Sequence, residues 1–171
     1  DAKEVAELIE GIAGCGALAG CQAVLSGYLG AAGTGPVVLA AVKAVNADAL
    51  YCCDPVIGDT AEGIYVDDGV AEFLKSEAVG RADIVLPNAF EFGYLTGRDS
   101  DTIETLAVTA SEAWLVAVPR LLSPAKGMGD LFTALFLGHY LSSRHPGDSI
   151  SILNQSIIRG LVGGWRGRPP S

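Results

Sequence analysis

The chain has 171 residues, of which 50% are hydrophobic and 18% are charged, and its 20 acidic and 11 basic residues give a net charge of −9. This composition excludes a disordered chain and suits a single domain with a buried core. The acidic balance, without a run of Lys or Arg, argues against a nucleic-acid surface, whose affinity depends on clustered basic side chains.

The first 90 residues alternate between short apolar runs and amphipathic segments, a pattern typical of a parallel sheet with helices on its faces. The predicted elements are, in order, a helix at 2–13, a strand at 23–26, a helix starting near Pro36, a strand at 49–53, a helix through Val70 and Leu74, and a strand at 82–86. Ligands of such sheets bind beyond the carboxyl ends of the strands. Three polar residues, Asp54, Asn88 and Glu91, fall at or just after such ends.

The stretch 11–42 contains no charged residue. Its glycines and Pro36 divide it into short elements, so it is predicted to be buried α/β core and not a membrane span. The chain begins at Asp1 with no signal peptide before it, and we expect a soluble cytoplasmic protein. The cysteines have no zinc-site spacing and are expected to be small buried hydrophobic residues in a reducing compartment. They are Cys15, Cys21, Cys52 and Cys53.

The pattern weakens after Gly97. Two short strands are predicted within 106–119, on either side of Ser111-Glu112, because apolar residues alternate there. A strongly apolar helix is predicted at 131–143 and a second helix from Asp148 to about residue 158. The Gly-, Arg- and Pro-rich tail, 159–171, is predicted to be disordered.

The turn Gly127-Met128-Gly129-Asp130 leads directly into the predicted helix at 131–143. Two glycines at a helix start let the backbone approach a ligand closely, and the unpaired amides of the first turn bind anions. An Asp at that turn can accept a hydroxyl proton as a phosphoryl group is transferred. The alternative is an Asp that caps a core helix behind a glycine-rich loop.

The acidic residues at the strand ends also allow two interpretations each. Asp54 either ends a strand in an ordinary Asp-Pro turn or lies near a magnesium–phosphate cluster, since hard cations prefer carboxylate oxygens. Asn88 and Glu91 either form a helix-capping box or place Glu91 at that same metal–phosphate site. The presence of all three motifs in one α/β chain favours function.

Several segments together resemble pyridoxal kinases of the ribokinase superfamily. The Gly-x-Gly-Asp turn alone indicates only the superfamily, whereas the first two segments below are more specific and favour pyridoxal kinase over hydroxymethylpyrimidine and sugar kinases. The resemblance covers about residues 2–158 in order. The segments are 26–30 (SGYLG), 51–59 (YCCDPVIGD) with 63–66 (GIYV), 82–91 (ADIVLPNAFE) with 95–97 (LTG), and 127–132 (GMGDLF).

The resemblance implies a three-layer α/β kinase domain at 1–158 and ATP-dependent phosphorylation of the 5′-hydroxyl of pyridoxal, with Mg²⁺ and often K⁺. Asp130 would be the catalytic base and a substrate contact, and Gly127, Met128 and Gly129 the anion hole. Tyr28 would lie at the pyridoxal side. The residues implied to lie near ATP are Asp54, Leu86, Asn88, Glu91, Val118, Pro119, Arg120 and Leu121, with Asp54 and Glu91 also near the metal.

The sequence departs from the family pattern in three places, one of which is the tail after residue 158, which does not resemble the family's last helix. The first strands of the family, with a substrate-binding Ser and an Asn-His-Thr-like stretch, have no counterpart here, and neither does a helix–strand unit expected between Glu104 and Leu106. Loss of strands from a parallel sheet should expose unpaired edges. Three functions therefore stay open: a pyridoxal kinase, expected to be a homodimer as family members are; an inactive nucleotide-binding or dimerisation remnant, with 11–42 partly at such an interface; and a kinase for a hydroxymethylpyrimidine or a sugar.

Overall fold

The computed structural model describes residues 1–98, 105–109, 113–116 and 128–150. The chain divides into two units, Asp1–Leu121 and Leu122–Ser171. The helices are α1 (Ala2–Gly14), α2 (Thr34–Ala44), α3 (Asp68–Phe73), α4 (Ala89–Thr96) and α5 (Met128–Ser143). The strands are β1 (Ala23–Ser26), β2 (Leu50–Cys53), β3 (Gly58–Asp59), β4 (Gly63–Ile64), β5 (Ile84–Val85), β6 (Thr105–Thr109) and β7 (Ala113–Val116).

The first unit is built on one sheet with the strand order β1-β2-β5-β6-β7. Strands β1, β2 and β5 are parallel, joined by crossovers through α2 and α3. Strands β6 and β7 form an antiparallel pair on the far side of β5. The predicted α/β fold and the two strands within 106–119 are confirmed. β6 pairs directly with β5, and the edge strands of this described sheet are β1 and β7.

Both faces of the central strands are covered. Tyr51 and Cys53 point to the face that carries the main core cluster, with Val70 and Leu74 among their buried neighbours. Cys52 points the other way, as alternation along a strand requires, and it is fully buried as well. A strand buried on both faces explains the continuous apolar run at 49–53.

The helix ends follow the sequence signals. Asp1 caps α1, where its side chain accepts the amide hydrogens of Lys3 and Glu4. Asn88 and Glu91 form the predicted capping box at the start of α4. Gly97 ends α4 in the left-handed region, at φ 69°, which glycine adopts without steric strain. Pro36 lies in the first turn of α2, which begins two residues earlier than the predicted start.

Two burial predictions are wrong. The stretch 11–42 is not mainly buried: Leu25 is 40% exposed and Ile12 is 48% exposed. The reason is position, since β1 is the outermost strand of the described sheet and α1 packs on α2 rather than within a closed core. Among the cysteines, Cys52 and Cys53 are buried as predicted, but Cys15 is exposed and Cys21 is half-buried.

In the second unit, α5 covers the predicted helix at 131–143 and starts three residues earlier. Phe132, Phe136 and Tyr140 stack along one side at four-residue spacing, with ring centroids 6.4 and 6.0 Å apart. Residues 146–150 are helical and begin the second predicted helix. The tail, 159–171, lies outside the described residues. No helix in the described ranges is long and apolar enough to cross a membrane.

Candidate active site

The carboxyl ends of β1, β2 and β5 lie side by side, because these strands are parallel neighbours. Asp54 follows β2 directly, and its amide donates to the carbonyl of Ser26 at the end of β1, at 2.8 Å. Asp54 is 8% exposed. The sheet therefore places one nearly buried carboxylate at the edge where ligands of parallel sheets bind.

Glu91, from the first turn of α4, lies in the same region. Its Oε1 accepts the amide hydrogen of Ile57 at 3.1 Å, and its Oε2 accepts that of Asn88 at 2.9 Å. Asn88 Oδ1 in turn accepts the Glu91 amide hydrogen at 2.9 Å. The capping alternative is thus present, and Glu91 also ties the loop after β2 to the start of α4.

Burial raises the pKa of Glu91 to about 7, and the nearby charge of Asp54 adds to the increase. The amides of Asn88 and Ile57 oppose it, because they stabilise the ionised form. Glu91 is only 3% exposed, so the loss of hydration outweighs those two hydrogen bonds. A buried carboxyl that titrates near neutral pH is typical of a functional site and also of a buried structural network.

A short hairpin, β3 with β4, packs against the start of α4. Asn88 Nδ2 donates to the carbonyl of Gly58 at 2.9 Å. A Cβ on Gly58 would lie 2.2 Å from the carbonyl oxygen of Gly63 and 2.7 Å from the ring of Phe90. Only glycine fits there, which gives a physical reason for the glycine of the 51–59 motif.

The residues fit a magnesium ion that is held mainly through a nucleotide. No cluster of three or more His, Cys, Asp or Glu side chains that could hold a metal occurs in the described ranges. Mg²⁺ in nucleotide sites is typically held by one or two carboxylates together with phosphate oxygens and water. Asp54 is a carboxylate of this type at the ligand-binding edge of the sheet, and both oxygens of Glu91 accept backbone amides.

The other described candidates in the first unit lie at the same edge of the sheet. Tyr28, in the loop after β1, is 63% exposed and so is available to a ligand. Leu86, directly after β5, is buried, and its amide donates to the carbonyl of Cys53 at 3.0 Å. Its contact with a nucleotide stays a prediction, as does the role of Asn88 near ATP.

The turn that is predicted to serve phosphoryl transfer belongs to the second unit. Met128, Gly129 and Asp130 form the first turn of α5, with Gly129 and Asp130 exposed. A Cβ on Gly129 would meet no atom of the described residues within 4 Å, so packing there does not demand glycine. Thr133 Oγ1 donates to the Gly129 carbonyl at 3.0 Å. Gly127 and the predicted ATP contacts Val118, Pro119, Arg120 and Leu121 lie outside the described residues.

Sequence reasoning missed the residues that hold this edge together. They all lie in the 26–30 and 51–59 motifs, but none had been given a role: Ser26, Tyr51, Ile57 and Gly58. The signal that could have found them is their position in those motifs, next to the polar candidates. What the sequence did not show was which backbone amide meets which side chain.

Known proteins share this architecture and sequence. A putative phosphomethylpyrimidine kinase from Bacteroides thetaiotaomicron superposes with a TM-score of 0.81 at 20% identity, over 99% of this chain and 70% of that structure. The pyridoxal kinase from Lactobacillus plantarum gives 0.76 at 16% identity, over 99% and 72%. These similarities establish the fold. No protein-family model matches the sequence.

The sequence comparison decides the family. Pyridoxal kinase PdxY of Rubrobacter xylanophilus is 37% identical over 193 residues, which cover 91% of this chain and 67% of that relative. This chain belongs to the pyridoxal kinase family. The alignment is longer than the 171 residues of the whole chain, so the relative has residues inside the aligned span without a counterpart here. That agrees with the internal unit missing from the family pattern.

Proposed function

We propose that this chain transfers the γ-phosphoryl group of ATP to the 5′-hydroxyl of pyridoxal, forming pyridoxal 5′-phosphate and ADP. The observation that carries the proposal is the 37% identity to a pyridoxal kinase over 91% of the chain. The carboxylates at the strand ends and the glycine-flanked turn of α5 support it. They are the groups that phosphoryl transfer requires: a proton acceptor, amide donors and a partner for a metal.

Asp130 is the proposed base. Its carboxylate takes the proton of the 5′-hydroxyl as the oxygen bonds to the γ-phosphorus, and the bond from that phosphorus to the β-phosphate oxygen breaks. The amides of Gly127, Met128 and Gly129 are the proposed donors to the transferred group. Unpaired amides at a helix start carry partial positive charge, so they stabilise the negative charge on the phosphoryl oxygens.

Asp54 is the proposed carboxylate partner of Mg²⁺, directly or through water. When bound to ATP, the ion neutralises phosphate charge and so lowers the barrier to attack. Glu91 is the second proposed carboxylate of this region, and the nearby charge of Asp54 contributes to raising the pKa of Glu91. Leu86, Asn88 and 118–121 are the proposed nucleotide contacts, and Tyr28 the pyridoxal contact. K⁺ dependence, a homodimer and a cytoplasmic location are proposals from the family resemblance.

The test is phosphate transfer from Mg·ATP to pyridoxal, measured through ADP release and pyridoxal 5′-phosphate absorbance. We expect turnover by the unmutated chain and a loss of at least about a hundred-fold in Asp130→Asn, the contribution typical of a general base. Asp148→Asn is the matched control, since Asp148 is also an exposed acid in the first turn of a helical segment of the second unit. It should keep full turnover.

The alternatives give different results in the same assay. ATP binding without transfer to any acceptor would identify an inactive remnant. Faster transfer to hydroxymethylpyrimidine or to a sugar than to pyridoxal would identify that compound as the acceptor in place of pyridoxal. Full turnover in Asp130→Asn would refute the assignment of the base while leaving the reaction in place.

A further inference from the structure

Three buried polar side chains at the ends of β1 and β2 have no role in the proposed chemistry. The hydroxyls of Ser26 and Tyr51 are hydrogen-bonded at 2.9 Å. The Cys53 side chain belongs to the same buried cluster as Tyr51. All three residues are buried.

The strand register explains why these groups meet. Ser26 and Cys53 are partners in the parallel β1–β2 ladder, so their side chains share a face. Tyr51 is two residues before Cys53 and points to the same face. Its long side chain carries the hydroxyl toward the strand ends, where it reaches Ser26 Oγ.

Ser26 is therefore fixed twice. Its side chain is held by Tyr51, and its carbonyl accepts the Asp54 amide hydrogen at 2.8 Å. The chain then continues through Gly27 to the exposed Tyr28 and the buried Leu29. The orientation of this loop depends on where β1 ends, and that point is set by the two bonds to Ser26.

We propose that Tyr51 is a positioning residue for pyridoxal, which acts through its hydroxyl bond to Ser26 and sets the 26–30 loop that carries Tyr28. The inference rests on the proposed function. A buried tyrosine hydroxyl also needs a partner for stability alone. The two roles differ in their consequences: a stability role changes the melting temperature, whereas a positioning role changes pyridoxal binding selectively.

The test uses Tyr51→Phe and Ser26→Ala, each of which removes one hydroxyl. We expect Tyr51→Phe to raise the pyridoxal Kd, measured by calorimetry, and the pyridoxal KM by about five-fold, the value of one hydrogen bond. The KM for Mg·ATP should change by less than about two-fold. Tyr94→Phe is the control, since Tyr94 packs against the same core but lies in α4. It should leave the KM for pyridoxal and the KM for Mg·ATP unchanged.

The double variant Ser26→Ala/Tyr51→Phe separates one shared bond from two independent effects. A double variant no weaker than either single variant supports a shared bond, because the cycle measures the coupling of the pair. Three results would overturn the inference and leave the proposed function standing. They are additive losses of pyridoxal affinity in the double variant, an equal rise in the KM values for pyridoxal and Mg·ATP, and an unchanged pyridoxal Kd in a chain that phosphorylates pyridoxal. An unmutated chain that neither binds nor phosphorylates pyridoxal would refute both.

Discussion

Glu91 Oε1 and the Ile57 amide are joined by a buried hydrogen bond of 3.1 Å across 34 residues of sequence. It links the loop after β2 to the first turn of α4. Together with the bond from Asn88 Nδ2 to the Gly58 carbonyl, it holds the β3–β4 hairpin in place. Glu91, which is predicted to lie near the metal, therefore also has a structural role. The effect of a Glu91 substitution on stability can be measured separately from its effect on catalysis.

The stability of the first unit should fall as pH rises from about 4.5 to 7. The Glu91 pKa is about 7 in the folded chain against an ordinary glutamate pKa of 4.5, so the folded state binds more protons within that window. By linkage, stabilisation from the protonated form is complete below 4.5 and lost as pH rises through 7, by up to about 3 kcal/mol. Denaturant unfolding in magnesium-free buffer between pH 4.5 and 8 measures this slope.

Glu91→Gln should flatten that slope, because glutamine imitates the protonated carboxyl and does not titrate. Glu10→Gln, which changes an exposed glutamate of α1, should keep it. A slope of unchanged size in Glu91→Gln would assign the pH dependence to another group.

Gly58→Ala should destabilise the fold by about 1–3 kcal/mol, the usual cost of overpacking. The new methyl group would lie 2.2 Å from the Gly63 carbonyl oxygen, a backbone atom that cannot rotate away. Gly11→Ala is the opposite control. It lies inside α1 with no described atom within 4 Å of the added methyl group, so it should stabilise by about 0.5–1 kcal/mol. Urea midpoints of the two variants should move in opposite directions, and a shared direction would contradict the crowding at Gly58.

The cysteines should react with a disulfide reagent in two classes. Cys15 is exposed and should react first, whereas burial raises the pKa of Cys52 to about 12 and that of Cys53 to about 11. These two should react at least about a hundred-fold more slowly, because the thiolate is the reactive form and opening is needed first. Cys15→Ser should remove the fast phase. Fast modification of Cys52 or Cys53 in the native chain would contradict their burial.

Tyr28→Ala should separate binding from stability. The side chain is 63% exposed, so its loss should shift the melting temperature by less than about 2 °C. If Tyr28 contacts pyridoxal as proposed, the pyridoxal KM should rise several-fold while the KM for ATP stays constant. Tyr140→Phe, in the second unit, serves as a matched comparison. A pyridoxal KM unaffected by Tyr28→Ala would remove this residue from the proposed substrate side.

Local signals in the sequence were sufficient for much of the fold. The alternation of apolar runs predicted β1, β2 and β5, and the Asn88–Glu91 spacing predicted the capping box, because both depend on residues close together in the chain. The two strands β6 and β7 were predicted as well, but not their antiparallel pairing. The pairing of β6 with β5 was not predicted either, since register between distant strands depends on which backbone edges meet.

Burial of the 11–42 stretch was mispredicted for a related reason. An uncharged sequence indicates what can be buried, whereas burial itself depends on what packs against it. β1 is the outermost strand of the described sheet, which leaves Leu25 and its neighbours partly exposed.

The Gly-x-Gly-Asp turn that ends in Asp130 and the strand-end Asp54 were singled out from the sequence by residue type and spacing, and Tyr28 by the family resemblance. Their roles stay predictions. Only the tertiary structure decided that Glu91, beyond the predicted capping box, also accepts the Ile57 amide hydrogen and that Ser26 is held by Tyr51. Those two contacts join residues 34 and 25 positions apart, through the docking of a hairpin on a helix start and the pairing of parallel strands. Such distances are fixed by packing and not by any local pattern.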